Sequence, residues 1–389
     1  MKIGFLFNHD QIHQVAHSLP IALELARLAT GADIVLLTTT PRIQAEVERL
    51  AGDAIGRSLR LQPLRLRRWT SRLLRVFGGR LLPVSKLLIY RDNLDLFSSL
   101  DVLVVAEKTS LLLKSRYGLD RLKIVHTRHG AGDRAIGFDK ASAGFDHVLV
   151  SGPKVGDRLV GEAGLDPGRI SIVGYPKFDL FAEEQLPRPL FDEKRPVVVY
   201  NPHLSPHLSS WYAMGRQVLD WFVEHPEYQL IFAPHVMLFE RAVVFTVDKL
   251  RVDWPGKLPE RALKAPNIHV DLGSRVSTTM AYMNAADIYL GDVSSQVYEF
   301  LIRPRPCVFL NPHRIAWNGD PNFAIWAAGP VIERVDELGA ALAEARAHED
   351  DTYAPVQRKL FDYSFDLGEL PSSVRAAVAI ARFAGLNSD

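Results

Sequence analysis

The chain has one cysteine in 389 residues, Cys307. That excludes an internal disulfide and fits a reducing compartment. Cys307 stands in the apolar run Pro306-Cys-Val-Phe-Leu310 and reads as core. No stretch reaches the roughly 18 uninterrupted apolar residues that a membrane-spanning helix needs. The opening, Met1-Lys-Ile-Gly-Phe-Leu-Phe7, is apolar for too short a run to be a secretory signal. It reads as a strand ended by Asn8-His9-Asp10, so a cytoplasmic protein is expected. No Gly-x-Gly-x-x-Gly follows that strand, and neither a Walker loop nor a nucleophile elbow occurs elsewhere. The histidines are scattered. His203 and His207 are four apart, but Pro202 and Pro206 work against a helix there. No metal site and no tightly bound cofactor is therefore expected.

Acidic residues are missing from one long stretch. Between Ala54 and Arg91 there is no Asp or Glu, while Arg and Lys recur among Leu59, Leu64, Leu66, Trp69 and Phe77. Net charge is +1, so the remaining chain is acidic. The mixture, centred on Arg65, Arg67, Arg68, Trp69, Arg72 and Arg75, has the character of a basic amphipathic surface lying on anionic lipid. The plainer reading is an arginine face on an ordinary helix. Nucleic acid is not expected as a partner, because the basic stripe is confined to one segment and no nucleic-acid motif accompanies it.

What is present is a regular alternation. Apolar β-like runs at 2–7, 32–37, 101–106, 123–126, 147–150 and 170–173 are separated by helical patterns. A second set follows at 197–200, 229–233, 268–270, 287–290, 307–310 and 330–332. Alternating βα units imply parallel sheets with both faces covered. Twelve strands in one twisted sheet would be unusual, so two doubly wound sheets of about six fit better. The stretch 181–196 has three prolines, several charges and no clean period, and reads as a linker. The expected layout is an N-terminal domain over 1–183 with its basic segment at 57–91, and a C-terminal domain over 195–368. A helix at 371–386, started by Ser372 or Ser373, could cross back to the first domain.

Four clusters follow predicted strand ends, where open α/β sheets bind ligands. The first is His126-Thr-Arg-His-Gly-Ala-Gly-Asp-Arg134, with histidines suited to proton transfer and glycines that admit a ligand closely. The second is Gly174-Tyr-Pro-Lys-Phe-Asp179, where Lys177 and Asp179 either pair or face a ligand. The third is Phe232-Ala-Pro-His235. The fourth is Asp292-Val-Ser-Ser295, two hydroxyls at a helix start that suit phosphate. Taken alone, Asp292 or Ser294 could equally be a helix N-cap.

In this order and at these intervals the clusters resemble the CDP-glycerol glycerophosphotransferase family of teichoic-acid synthesis. The match runs over about 126–312. The family's His-Gly-Thr loop looks like His129-Gly130-Ala131, and its Gly-x-Pro-Arg-x-Asp turn like Gly174 to Asp179. Its Asp-Tyr-Ser-Ser turn and Phe-Asp-Phe look like Asp292 to Ser295 and Tyr298-Glu-Phe300. The resemblance implies a GT-B fold of two Rossmann-like domains. It implies transfer of glycerol phosphate, or a related polyol phosphate, from a CDP-activated donor to a lipid- or glycan-linked hydroxyl, with release of CMP. His129 would be the general base. His235, Ser294 and Ser295 would hold the donor phosphates, with Gly130, Lys177, Asp179 and Asp292 beside them, and Glu299 would meet the ribose. The basic segment would dock the protein on the inner face of the cell membrane. Ala131, Lys177, Val293 and the run 200–205 depart from the family pattern and leave the nucleotide base and the acceptor open. A GT-B glycosyltransferase or UDP-sugar epimerase is the alternative enzyme, and a non-catalytic binder of nucleotide or anionic lipid the alternative class.

Overall fold

A computed structural model describes residues 1–389 except Asp10, Thr30, 67–81, His129, Ala131, 134–137, 241–243, 247–250 and 387–389. The chain forms two compact units. The first comprises Met1–Ala131, Ile136–Leu180 and Tyr363–Asp389; the second comprises Phe181–Asp362 with the short excursion Gly132–Ala135.

The first unit is built on a parallel sheet. Its strands are β1 (Lys2–Phe7), β2 (Asp33–Thr38), β3 (Arg60–Pro63), β4 (Val102–Val105), β5 (Lys123–Thr127), β6 (His147–Val150) and β7 (Ile170–Ile172), in the order β3-β2-β1-β4-β5-β6-β7. Side chains alternate across a strand, and here both directions are apolar. Ile3, Phe5 and Phe7 enter one core with the helices Leu19–Leu28 and Ser372–Ala384. Leu6, Val35, Leu37 and Val105 enter a second core on the other face. Each such side chain, fully buried, contributes roughly 1.5–3 kcal/mol.

The second unit repeats the plan. Its strands are β8 (Val197–Asn201), β9 (Gln229–Phe232), β12 (Ile268–Val270), β13 (Ile288–Gly291), β14 (Cys307–Leu310) and β15 (Val331–Ile332), ordered β12-β9-β8-β13-β14-β15. A separate antiparallel hairpin, β10 (Val244–Thr246) with β11 (Arg251–Asp253), is inserted after β9. Cys307 is buried, as its apolar setting implies.

All twelve apolar runs are strands, with ends displaced by a residue or two. Three strands lie outside them: β3, β10 and β11. The first falls in the acid-free stretch, which therefore does not begin as an amphipathic surface. Arg60 pairs with Asp33 at 2.6 Å, and Leu59, Leu64 and Leu66 are buried in the sheet's two cores. Arg65 is exposed, and its carbonyl accepts from Asn93 Nδ2. Arg67, Arg68, Trp69, Arg72 and Arg75 lie outside the described residues. Among those described, no helix is long and apolar enough to cross a membrane.

Helix Ser372–Ala384 starts differently from expectation. Neither serine supplies the cap. The Asp179 carboxylate does, accepting from the backbone N–H groups of Ser372 at 3.1 Å and Ser373 at 2.7 Å. Two anionic hydrogen bonds at a helix N-terminus also complement its dipole. The Ser372 hydroxyl instead accepts from the Tyr175 N–H. Gly174, at φ +85°, lets the chain pass: a Cβ there would collide with the Ser372 hydroxyl and sit 2.6 Å from the Asp366 carbonyl.

Asp179→Ala should cost about 1–2 kcal/mol, by loss of this cap, read from urea denaturation. An unchanged midpoint would show that the cap is not what Asp179 does.

Candidate functional site

In each sheet the chain leaves the first strand to one side and returns on the other. The switch points therefore lie between β1 and β4 and between β8 and β13. The crevice at the carboxyl ends beside such a point is where open α/β sheets take ligands. In the second unit, β9, β8 and β13 are neighbours. The loops leaving them carry His235, His203 and the Asp292–Ser295 turn. With strands about 4.8 Å apart, these three loops span roughly 10 Å.

Both histidines are held in one tautomer by the local chain. The Met237 N–H donates to His235 Nδ1 at 3.2 Å, and the Ser205 N–H donates to His203 Nδ1 at 2.9 Å. A ring nitrogen that accepts carries no proton, so in each neutral ring the proton sits on Nε2. The rings are 6.1 Å apart. Burial lowers the His235 pKa to about 4, against a smaller opposing pull from Glu240. His235 is thus a neutral hydrogen-bond donor at physiological pH, not a proton source.

Asp292 has a different place from the one its motif implies. It is fully buried, and its carboxylate accepts from the backbone N–H of His203 at 2.7 Å and from that of Ser210 at 3.0 Å. Burial raises its pKa to about 7, and these bonds pull the other way. The carboxylate thus pins the 203–210 loop to the end of β13. Ser294 is the N-cap of helix Ser295–Phe300, accepting from the Gln296 N–H at 3.2 Å. Val293 and Glu299 are both 3% exposed.

The loop that carries His129 ends in this unit. A Cβ on Gly132 would lie 3.5 Å from Ser295 Cβ. Asp133, buried, accepts from the Tyr298 hydroxyl at 2.7 Å and from the Ile325 N–H at 3.1 Å. His129 itself lies outside the described residues. Gly130 adopts φ +96°, a conformation that other residues rarely take. Lys177 is buried and Asp179 is engaged with helix Ser372–Ala384, both in the first unit.

His203 and Asp133 were not singled out from the sequence as site residues. Asn201-Pro-His203 directly after an apolar run was the available signal for the first. Nothing local marks the second. A cavity of about 900 Å³ opens at the opposite, amino ends of β8, β9 and β13, between Phe191, Arg195 and Arg305. The Arg305 guanidinium there is committed to the carbonyls of Met283, Ala286 and Phe300. Among the described residues no group of three metal-ligating side chains occurs.

The two shifted groups oppose each other in pH. Between about pH 4 and 6.5 the folded protein binds fewer protons at His235 than the unfolded chain, so that stability is lost as pH falls. Between about 3.8 and 7 it binds more at Asp292, so that stability is lost as pH rises. Asp292→Asn should leave the histidine slope alone, with stability falling by up to about 1.4 kcal/mol per unit as pH drops below 6.5. His235→Gln should show the reverse slope. Urea denaturation at several pH values reads both; wild-type pH profiles in the two variants would refute the assignment.

No family model matches the chain, and no curated protein matches it. Solved structures do. The wall teichoic acid polymerase TagF soaked with CDPG aligns over 99% of this chain and 88% of its own, at 14% identity and TM-score 0.62. A UDP-N-acetylglucosamine 2-epimerase of Listeria monocytogenes covers 100% and 98%, at 11% identity and TM-score 0.61. The S. aureus MnaA–UDP structure covers 100% and 98%, at 13% identity and TM-score 0.59. At such identities the likeness is one of fold, and the fold is the GT-B type of two Rossmann-like domains.

Proposed function

We propose that the protein transfers glycerol phosphate, or a related polyol phosphate, from a CDP-activated donor to a hydroxyl of a membrane-associated acceptor. The observation that carries this is the neutral His235, its Nδ1 occupied by a backbone N–H, on a loop two strands from the Ser294–Ser295 turn. That is a donor set for phosphate oxygens. The TagF structure with CDPG has the same fold and supports a nucleotide-diphosphate donor.

In the reaction, the acceptor oxygen attacks the phosphorus that bears the glycerol. The bond from that phosphorus to the bridging oxygen breaks, and CMP leaves with the electron pair. The hydroxyl proton passes to His129. The His235 Nε2–H donates to the oxygens on which charge grows, which lowers the barrier most if it is in place beforehand. His129 stands three residues before Gly132, which packs against Ser295. The arginine-rich stretch 57–91 would hold the protein on the anionic inner face of a membrane that carries the acceptor.

CMP or CDP-glycerol at about 100 times its Kd should stabilise the protein by roughly 2.7 kcal/mol, while UDP should not. His235→Ala should lose that shift. His129→Ala should keep it and abolish CMP release in the presence of acceptor. Stabilisation by UDP or a UDP-sugar alone would favour the epimerase or glycosyltransferase reading instead. Near-normal turnover of the His129 variant would remove it as the base.

A further inference from the structure

The cavity at the amino ends of β8, β9 and β13 has no part in the reaction proposed above. Its volume of about 900 Å³ is that of a small-molecule site. The residues that line it are all described, and all belong to the second unit. One wall comes from the proline-rich stretch 181–196, which places Leu186, Leu190 and Phe191 against the cavity, each half-buried. Ile231 and Ile288, at most 1% exposed, line it from the sheet. An apolar patch with a polar rim marks a place for a ligand or partner.

The polar groups among these apolar ones are committed to the protein itself. Gln229 Nε2 donates to the Glu193 carbonyl at 2.6 Å. Arg195 donates to the Pro226 carbonyl and pairs with the Glu193 carboxylate. The Asp287 carboxylate accepts from the Val197 N–H at 2.9 Å, and the Arg305 guanidinium holds three carbonyls. The bonds of Gln229 and Arg195 fasten the wall to the start of β9, so the fold itself keeps it in place. The remaining charges stand at the rim and are of both signs. The side chains of Asp192, Lys194 and Arg346 are exposed and make no hydrogen bond or ion pair among the described residues. Glu349, three residues beyond Arg346, feels the charges of Arg305, Arg346 and Asp350.

We infer that this cavity binds the hydrocarbon chain of a lipid whose head group carries no net charge, with the chain against Leu186, Leu190, Phe191 and the two isoleucines and the head among the rim charges. Hydrogen bonding decides the class. A peptide would bring backbone N–H and C=O groups into walls whose own polar groups are already engaged, and a buried polar group without a partner is costly. A hydrocarbon chain brings none. At the rim, each wall carries one uncommitted cation near one carboxylate, Lys194 with Asp192 and Arg346 with Glu349. A head of either net charge would meet repulsion as well as attraction there. The inference does not depend on the transferase reading or on the donor nucleotide.

The test is isothermal titration of the full-length protein with 1-octanol, 1-nonanol and 1-decanol, with decanoate and decyltrimethylammonium as charged controls. One molecule should bind per chain, and each added methylene should tighten binding about fourfold, as burial of a CH₂ group implies. Neither charged control should bind more than threefold tighter than decanol. Leu190→Asp sets a carboxylate in the apolar wall and should weaken decanol binding at least tenfold. Phe191→Ala keeps the wall uncharged and should weaken it at least threefold; it serves if the first variant does not fold. Absence of saturable decanol binding, or binding that is indifferent to chain length, would overturn the inference. So would unchanged decanol affinity in a folded variant, or a charged control that binds more than threefold tighter than decanol.

Discussion

Covering both faces of a parallel sheet leaves its strands no polar side to work with. Ile3, Phe5 and Phe7 point into one core and Leu6 into another, so chemistry on β1 begins only at Asn8. The same holds for β8 and β13, where the apolar runs end at Asn201 and Asp292. His203, His235, Asp292 and Ser294 are therefore loop residues whose position is set by where a strand stops. Strand ends in turn are held by packing that is apolar and tolerant. The scaffold can accept many sequences, and sequence identity to its structural neighbours of 11–14% is what such tolerance permits.

Loops placed this way need anchors, and the anchors are carboxylates, buried at Asp292 and Asp133 and exposed at Asp179. Asp292 holds the 203–210 loop, Asp133 takes Tyr298 and the Ile325 N–H, and Asp179 starts the last helix. Each accepts at least two hydrogen bonds, and Asp292 and Asp133 do so in a low-dielectric setting, where a charge left unpaired would cost several kcal/mol. A motif that looks like a binding turn can thus also be support, as in Asp292-Val-Ser-Ser295: its aspartate serves the neighbouring loop, and its first serine serves its own helix.

This division explains what could be read from the sequence. A strand buried on both faces must be a continuous apolar run, so the interior strands were legible, and the edge strands β7, β12 and β15 were legible from shorter apolar runs. β3, at a sheet edge, and the β10–β11 hairpin need no such run, and they were not. His235 and Ser294 were legible because they follow strand ends. The roles of Asp292 and Asp179 were not, because their partners lie 89 and 193 residues away along the chain. Local pattern carries period and turn chemistry, but not which distant backbone N–H a carboxylate will meet.

The placement of helix Ser372–Ala384 bears on the order of events at the ribosome. Ala376, Ala377 and Ile380 fill the core against which Ile3 and Phe5 pack. The first unit therefore stays incomplete until helix Ser372–Ala384 emerges. The second unit, Phe181–Asp362, is already fully synthesised by then. At about 5–20 residues per second, the opening sheet waits on the order of ten seconds or more with part of one apolar face uncovered beside helix Leu19–Leu28. Synthesis from the N-terminus thus yields a molecule whose second half matures first, and the exposed face of its first half is the natural client for a chaperone in that interval.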